Sequence, residues 1–288
     1  MTATHPVKKF FFLFLFSWCW FFAYSQQTDS ARFVTAAWKK ERLGPGVRLV
    51  THQFDNNALF ASNQYISYAI IKNKKRRKGF NIAAEAKLLK PVPVFGEETG
   101  ALVALNGNFF NVKEGGSVDY VKVNGQVISE NLTGADGTLK VHQKAAVAVQ
   151  GGKLVILKGD SPRWPDSIAA GSVLANGPLL CLEGASVPVE ASSFSETRHP
   201  RTAVGVTAGG RVILLVADGR NTNAAGLRLE ELRKIMQWLG CVSAINFDGG
   251  GSSTLWTRKK GVINHPSDNK KWDHEGVRSV ANVLYYKR

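Results

Sequence analysis

Apolar and polar residues alternate along most of this chain with the period of two that predicts β-strands. The alternation is clear in GVRLVTHQF (46–54), QYISYAIIK (64–72), GALVALNGNFFN (100–111) and VDYVKVNGQVIS (118–129). Two further stretches, AAVAVQGGKLVIL and TAVGVTAGGRVILLVADG, place Gly-Gly between two apolar runs. Because a glycine pair between alternating strands is a hairpin signal, both stretches predict β-hairpins.

One segment has a helical period instead. Between residues 227 and 239 the apolar side chains fall on one face of a helix and the charged ones elsewhere, and Gly240 comes next as a stop signal. A strand pattern, CVSAINFD, comes after it, so residues 211–248 read as strand, loop, helix, strand. The sequence therefore predicts an α+β fold, a single domain with a β-rich mixed sheet core and few helices, over residues 26–288.

The first 25 residues have a different character. Lys8 and Lys9 precede an apolar run from Phe10 to Phe22, and small residues extend from there to Ser25. This is the pattern of a secretory signal peptide, and the apolar run of 13 residues is shorter than the roughly 20 that span a bilayer. We expect an exported protein, periplasmic or extracellular, with no stable membrane span after cleavage.

The chain is strongly basic, with a formal charge of +15, or +13 without the two lysines of the leader. Such a charge attracts polyanions such as phosphate-bearing glycans, acidic membranes or nucleic acid. Since no basic recognition helix is evident, nucleic acid is not an expected partner. The cluster KNKKRRKG (72–79) fits either a polyanion site or a solvated hairpin tip, and Cys181 and Cys241 fit either a disulfide or two buried thiols. The sequence makes no prediction of the oligomeric state.

Two predicted strands end alike, in LLVADGR and AINFDGG. If they run parallel in one sheet, Asp218 and Asp248 emerge at the same edge, where ligands of α/β units commonly bind. Taken singly, each aspartate fits an Asp-Gly turn equally well.

Asp248 is distinguished from Asp218 by the three glycines directly after it. Gly249, Gly250 and the next glycine allow unusual backbone conformations that would turn successive N–H groups towards an anion. Ser252 begins a run of three hydroxyl residues that suits a phosphate or a sugar. The run lacks the lysine of a nucleotide P-loop and the spacing of a dinucleotide fingerprint, so we expect no nucleotide cofactor. Asp218 and Asp248 together offer hard oxygen ligands to a metal ion, but no dense acidic cluster or His/Cys spacing predicts one.

Basic and polar residues also stand beside turn residues or predicted strand ends elsewhere in the sequence. Arg201, Arg220 and Arg278 each offer a planar guanidinium that matches phosphate oxygens, although most arginines are surface residues. Asn106 ends a predicted strand, where its amide would bind a sugar or close a turn. His199 is a candidate acid or base, or a local packing residue.

In this order the segments resemble the phosphodiester glycosidase family. The resemblance is carried by ALNGNFF, LANGPLL, HPRTAVGV, LLVADGR, AINFDGGGSSTLW and VRSVANVLYY. It implies hydrolysis of sugar-1-phosphodiesters, similar to a GlcNAc-1-phosphodiester, to free sugar and phosphomonoester. Asn108 stands where the family pattern often has glycine.

The resemblance also implies the site. Asp248 is the leading candidate for base or nucleophile, and Asp218 is its partner or orienter. The other matching positions are implied to bind substrate: Asn106, Arg201, Arg220, Gly249, Gly250, Ser252, Arg278 and Asn282. The alternative function from the same residues is a non-catalytic binding protein for anionic or phosphate-bearing surface glycans.

Overall fold

The structure is a computed structural model that describes residues 1–2, 27–75, 78–159, 161 and 163–288. Residues 3–25 of the predicted signal peptide lie outside the described residues, as do Arg76 and Arg77 of the basic cluster. None of the helices in the described ranges is long and apolar enough to cross a membrane.

Helices are few and short. The α-helices are α1 (Asp29–Thr35), α2 (Val92–Glu98), α3 (Ser193–Glu196) and α4 (Leu229–Trp238). Single 3-10 turns cover Val141–Gln143, Trp164–Ser167 and Gly250–Ser252.

Strands make up most of the regular structure. In chain order they are β1 (Lys39–Gly44), β2 (Val47–Leu59), β3 (Ser62–Lys72), β4 (Phe80–Ala84), β5 (Lys90–Pro91), β6 (Val103–Asn106), β7 (Val121–Val123), β8 (Gln126–Ser129), β9 (Ala145–Gln150), β10 (Lys153–Lys158), β11 (Ser172–Ala175), β12 (Leu179–Leu182), β13 (Ala185–Ser186), β14 (Arg201–Thr207), β15 (Arg211–Ala217), β16 (Cys241–Asn246), β17 (Leu255–Thr257), β18 (Gly261–Val262), β19 (Ser279–Val280) and β20 (Asn282–Tyr286).

The largest sheet has eight strands in the order β1-β2-β3-β15-β14-β16-β12-β13. Two five-stranded sheets have the orders β10-β9-β11-β7-β8 and β18-β17-β6-β20-β4. A small ladder pairs β19 with β5. The α+β fold with a β-rich core and few helices is confirmed.

Layers of apolar side chains hold these sheets together. Helix α4 buries Leu232, Ile235 and Met236 against one face of the eight-stranded sheet, in a cluster that includes Phe33 of α1. The opposite face of that sheet shares a second cluster with both five-stranded sheets. The eight-stranded sheet is therefore the middle layer, and the polar residues beyond its strand ends are presented by a rigid scaffold.

The predictions that depend on neighbouring residues in the sequence, two hairpins and one helix, are confirmed. Strands β9 and β10, and strands β14 and β15, form the two hairpins that the glycine pairs predict. Helix α4 falls within the predicted segment, and Gly240 lies just beyond its end with a φ of +79°, in the left-handed region that favours glycine.

The interpretation of residues 72–79 as a hairpin tip is wrong. Strand β3 pairs with β2 and β15, whereas β4 pairs with β20, so the segment connects two different sheets. Periodicity alone does not show which strands pair. Cys181 and Cys241 are buried free thiols, and burial raises the pKa of Cys241 to about 12.

Candidate active site

Asp218 and Asp248 emerge at the same edge of the eight-stranded sheet. Strands β15 and β16 both pair antiparallel with β14, so they run parallel to each other with β14 between them. Strand β14 begins at this edge with Arg201. Two strand spacings separate the backbones of the two aspartates, roughly 10 Å.

The Asp248 carboxyl is withdrawn from water enough to change its acidity. Desolvation raises its pKa from 3.8 to about 6, although the residue keeps some exposed surface. The negative charge of Asp119 also raises this pKa, while Ser252 and the Arg278 guanidinium lower it. The Ser252 hydroxyl lies close enough to act on the carboxyl but makes no hydrogen bond of good geometry to it. With a pKa of about 6, Asp248 is mostly ionised at pH 7, which is the form that a base or nucleophile requires.

Two arginines lie against the glycines that come after Asp248. A Cβ atom at Gly250 would lie 3.0 Å from Nη2 of Arg220, and one at Gly251 would lie 2.6 Å from Cζ of Arg278. The absence of side chains at these positions lets both guanidinium groups approach the turn. Arg278 is also held by Asp268 through bonds of 2.7 and 2.8 Å. Two cations thus lie against the turn that follows Asp248, and the charge of Arg278 acts on its carboxyl.

Three of the N–H groups that come after Asp248 are used within the protein. Gly250 N–H donates to the Pro200 carbonyl, and the N–H groups of Ser252 and Ser253 donate to the carbonyls of Gly249 and Gly250. These bonds close a 3-10 turn, while the Gly249 N–H acts on the Asp248 carboxyl and lowers its pKa. Anion binding by the remaining N–H groups stays a prediction. The glycines also make room for the two guanidinium groups.

Asn106 connects three segments of the site. Its Nδ2 donates to the Asp248 carbonyl oxygen at 2.8 Å, and its Oδ1 accepts from the Thr202 hydroxyl and the Thr254 N–H, each at 3.0 Å. Asn106 is fully buried. Its amide is therefore committed to the protein and positions Asp248, while a direct substrate contact stays a prediction.

Asn282 also connects segments of the site, from the first position of β20, the strand that pairs with β6. Its Oδ1 accepts from the Asn108 N–H at 2.9 Å, and its Nδ2 donates to Oδ1 of Asn108 and to the Ser117 hydroxyl. Gly107 leaves space for this amide, because a Cβ there would overlap it. Asn282 thus fixes the loop after β6, and substrate binding by it also stays a prediction.

Arg201 is buried, with 1% of its surface exposed. Its Nε donates to the Leu227 carbonyl at 2.9 Å, and its Nη2 donates to the carbonyls of Phe194 and Thr197. Desolvation and the neighbouring charge of Arg220 lower its pKa to about 10. These contacts tie β14 to the adjoining loops, and the phosphate contact of Arg201 stays a prediction.

Asp218 is paired with a histidine that sequence reasoning missed. Its Oδ2 lies 2.7 Å from the ring nitrogen Nδ1 of His265 and accepts from the backbone N–H of His265 at 2.9 Å. The imidazole stacks on Trp272 with ring centroids 3.8 Å apart. Burial raises the pKa of Asp218, while His265 lowers it. The carboxylate fixes the ring orientation of His265, in the manner of a carboxylate–histidine pair.

A second buried pair lies near enough to Asp248 to act on its pKa. Nδ1 of His142 lies 2.8 Å from Oδ1 of Asp119, and the ring packs against Phe109 with centroids 4.6 Å apart. Burial raises the pKa of Asp119, and His142 lowers it. The only sequence signal for this pair is the position of Asp119 between two apolar residues in VDY (118–120). An aspartate buried at such a position requires a partner.

Several buried polar atoms at this edge have no hydrogen-bond partner among the described residues. They are Oδ1 of Asp218, Nδ1 of His199, Nδ2 of Asn108 and the hydroxyls of Ser252, Ser253 and Thr254. Burial and the charges of Arg201 and Arg220 lower the pKa of His199, which favours its neutral form. Because buried polar atoms are normally paired, this concentration indicates a surface made to meet a polar ligand. The described ranges hold no group of three or more His, Cys, Asp or Glu residues arranged for a metal.

Comparisons with known proteins identify the family of this chain. The family model for phosphodiester glycosidases matches residues 99–287. A mouse N-acetylglucosamine-1-phosphodiester alpha-N-acetylglucosaminidase is 29% identical over 59% of this chain and 34% of its own length. An SPbeta prophage-derived protein of Bacillus subtilis, YomE, is 27% identical over 46% of this chain and 19% of its own.

Solved structures show the same fold. The zebrafish N-acetylglucosamine-1-phosphodiester alpha-N-acetylglucosaminidase catalytic domain, auto-inhibited by its pro-peptide, superposes with a TM-score of 0.68 at 19% identity. That match covers 88% of this chain and 87% of the zebrafish chain. This chain spans about a third of the length of the mouse relative. The predicted resemblance is confirmed, because the family model covers well over half of the chain: the protein belongs to the phosphodiester glycosidase family, a family of hydrolases.

Proposed function

We propose that this protein is an exported hydrolase that cleaves the glycosidic bond of sugar-1-phosphodiesters, GlcNAc-1-phosphodiester-like in form. The products are a free sugar and a phosphomonoester. One observation carries the proposal: Asp248 has a pKa of about 6, and the guanidinium groups of Arg220 and Arg278 lie against the second and third glycines after it.

The reaction breaks the bond between the anomeric carbon and the bridging oxygen. The transition state has oxocarbenium character, which a carboxylate stabilises. Asp248 performs this role as nucleophile or as base towards water. The oxygen of water ends on the anomeric carbon, and the bridging oxygen leaves with the phosphate.

The departing phosphate explains why two arginines lie at this site. A phosphate leaves as a stabilised anion, so its oxygen needs less protonation than a sugar alkoxide does. Arg220 and Arg278 supply preorganised positive charge where negative charge grows. Arg220 also has a φ of +62°, unusual for a residue with a side chain, and such strained backbone occurs at functional sites.

The remaining site residues act through Asp248 or around it. Asp218 orients His265 at the second strand end. Asn106 and Asn282 position the backbones that carry Asp248 and the loop after β6. Arg201 holds the start of β14. In this assignment Asp248 is the catalytic carboxylate and Asp218 is its partner through His265.

The relatives support the substrate class. The mouse, cattle and human relatives carry the name of an N-acetylglucosamine-1-phosphodiester hydrolase. We extend this class, a sugar joined at its anomeric oxygen to a phosphodiester, to this chain. Export is inferred from the pattern of Lys8, Lys9 and the apolar run after them.

A substrate panel tests the proposal. Purified protein is incubated with UDP-GlcNAc and with GlcNAc-1-phosphodiesters of simple alcohols, and the products are identified by mass spectrometry. We expect GlcNAc and a phosphomonoester, and their loss in Asp248→Asn with the fold retained. Asp166→Asn is the matched control, because that exposed carboxylate forms an ion pair only with Arg163 among the described residues.

The alternative is a non-catalytic protein that binds phosphate-bearing glycans at the same site. The observation that favours it is the net charge of +15. It predicts saturable, salt-sensitive binding of the panel compounds with no product from any of them. Product formation that depends on Asp248 excludes this alternative.

A further inference from the structure

Five cations lie on one face of four adjacent strands of the eight-stranded sheet, four of them towards the end that is opposite Asp218 and Asp248. We call them the basic row: Lys40 and Arg42 on β1, Arg48 on β2, Lys72 on β3 and Arg211 on β15. Arg42 stands directly opposite Arg48, and Lys72 directly opposite Arg211. All five residues are exposed.

The strand register places the centre of the row on one face of the sheet. Arg48 pairs with Ile70, and Ile70 stands two residues before Lys72, so all three side chains point to the same side. Arg48, Lys72 and Arg211 line a depression of about 50 Å³ over Gly46 and Ile70. A Cβ at Gly46 would lie 3.2 Å from Cδ of Lys72, so the lysine stem lies along this glycine.

The row lacks carboxylate partners. None of the five side chains forms an ion pair with any residue in the described part of the chain. Like charges directly opposite each other destabilise a strand pair. Two such pairs side by side are a cost to the fold that a bound anion would offset.

The row is a separate site from the candidate active site. Strand β15 begins with Arg211, and Asp218 comes directly after its last residue, so about 23 Å of strand separates them. A single phosphate at Asp248 does not reach the row. Four adjacent strands, each about 4.8 Å from the next, instead match a linear ligand with repeated anionic groups.

The surroundings favour a glycan over the other polyanions. No exposed large apolar residue of the described chain lies on β1, β2, β3 or β15, so the row offers nothing to insert into a membrane. It also carries no exposed aromatic side chain on which bases of single-stranded nucleic acid would stack. The row therefore offers a ligand only positive charges, repeated across adjacent strands.

We propose that the basic row is a second binding site, for a linear anionic glycan, which holds the enzyme on a polymeric matrix. The site does not take part in bond cleavage. Its occupant is a polysaccharide with regularly spaced sulfate, phosphate or carboxylate groups, and its affinity falls with salt.

Heparin, a linear anionic polysaccharide, is the probe, with a heparin disaccharide as the short ligand. The test variant is Arg48→Glu with Lys72→Glu, which turns both like-charge pairs into opposite-charge pairs and so retains the fold. The control is Lys113→Glu with Lys158→Glu, two exposed lysines outside the eight-stranded sheet that give the same net charge. Binding is measured by isothermal calorimetry at several salt concentrations.

We expect heparin to bind the full chain, the disaccharide to bind far more weakly, and the test variant to lose about tenfold or more in affinity with a flatter salt dependence. The control should change less than about threefold. Equal loss in both variants, or tighter row-dependent binding to anionic vesicles or single-stranded DNA than to heparin, overturns the proposal.

Turnover of a small GlcNAc-1-phosphodiester is measured on the same samples. Unchanged turnover in the test variant, together with lost heparin binding, supports a separate docking site. Row-dependent heparin binding without turnover in the unmodified protein counts against the proposed function and leaves the docking site standing.

Discussion

The side-chain amide of Asn106 donates to the backbone carbonyl oxygen of Asp248 at 2.8 Å, across 142 residues of sequence. The same amide accepts from Thr202 and Thr254, so one side chain joins the end of β6 to the start of β14 and to the segment after β16. The position of the candidate catalytic carboxylate therefore depends on a residue that itself faces the protein interior.

Replacing Asn106 tests this relationship. We expect Asn106→Ala to lower the free energy of unfolding by about 2–4 kcal/mol, because it leaves buried donors without their acceptor. Chemical denaturation measures the change. Asn223→Ala is the control, since the exposed Asn223 side chain makes no hydrogen bond among the described residues, and it should cost about 0.5 kcal/mol or less. Equal effects in both variants contradict a connecting role for Asn106.

The pKa of Asp248 predicts the pH dependence of activity. If the ionised carboxylate is the reactive form, kcat/KM rises with pH and levels off above about pH 6. Asp248→Asn should reduce kcat by roughly 10²–10⁴-fold at pH 7. A rate profile without an inflection near pH 6 would show that another group controls the reaction.

The same pKa also predicts a pH-dependent stability. Since burial raises the pKa of Asp248 from 3.8 to about 6, its stabilising contribution is present below about pH 4 and is lost as the pH rises through 6. Asp248→Asn removes the cost of burying the charge, so the variant should be more stable than the wild type above pH 6, by up to about 3 kcal/mol. Melting curves at pH 4 and pH 7.5 measure this, and a stability gain that is larger at pH 4 would contradict it.

Gly251 tests the space that the guanidinium of Arg278 requires. In Gly251→Ala the new Cβ would overlap both Arg278 and its partner Asp268, so we expect Arg278 to be displaced and KM for the phosphodiester to rise about tenfold. Gly209→Ala is the matched control, because a Cβ there meets nothing within 4 Å. An unchanged KM in the Gly251 variant would remove Arg278 from substrate binding.

His265 tests the pair on the other strand end. His265→Phe retains an aromatic ring against Trp272 but removes the Nδ1 that faces Asp218. The pKa of Asp218, already raised by burial, should rise further, so the variant should lose more stability at pH 7 than at pH 4, with a loss of about 1–3 kcal/mol at pH 7. Trp272→Phe, which leaves the Asp218 contact in place, should show no such pH difference. A loss that is equal at both pH values would mean that only packing is affected.

Local signals predicted the elements of this fold well. Alternating apolar residues and glycine pairs define β9–β10 and β14–β15, and the spacing of Leu232, Ile235 and Met236 defines α4, because these features depend on neighbours in sequence. The common edge for Asp218 and Asp248 also came from pattern. Which strands pair across long separations did not, as the segment after β3 shows.

The partners in the site were beyond sequence reasoning for the same reason. Asp119 meets His142, and Asp218 meets His265, across 23 and 47 residues. Nothing in the local pattern marks either histidine, since a lone histidine in a loop has many uses. The roles of the glycines after Asp248 likewise depend on where Arg220 and Arg278 arrive from other parts of the chain.

The most direct test of the central claim is to hydrolyse a GlcNAc-1-phosphodiester in water enriched in heavy oxygen and to locate the label. Cleavage at the glycosidic bond places the heavy oxygen on the anomeric carbon of the released sugar and none in the phosphomonoester. Mass spectrometry of both products measures this outcome in one experiment. Heavy oxygen in the phosphomonoester would mean attack at phosphorus and would contradict the role assigned to Asp248.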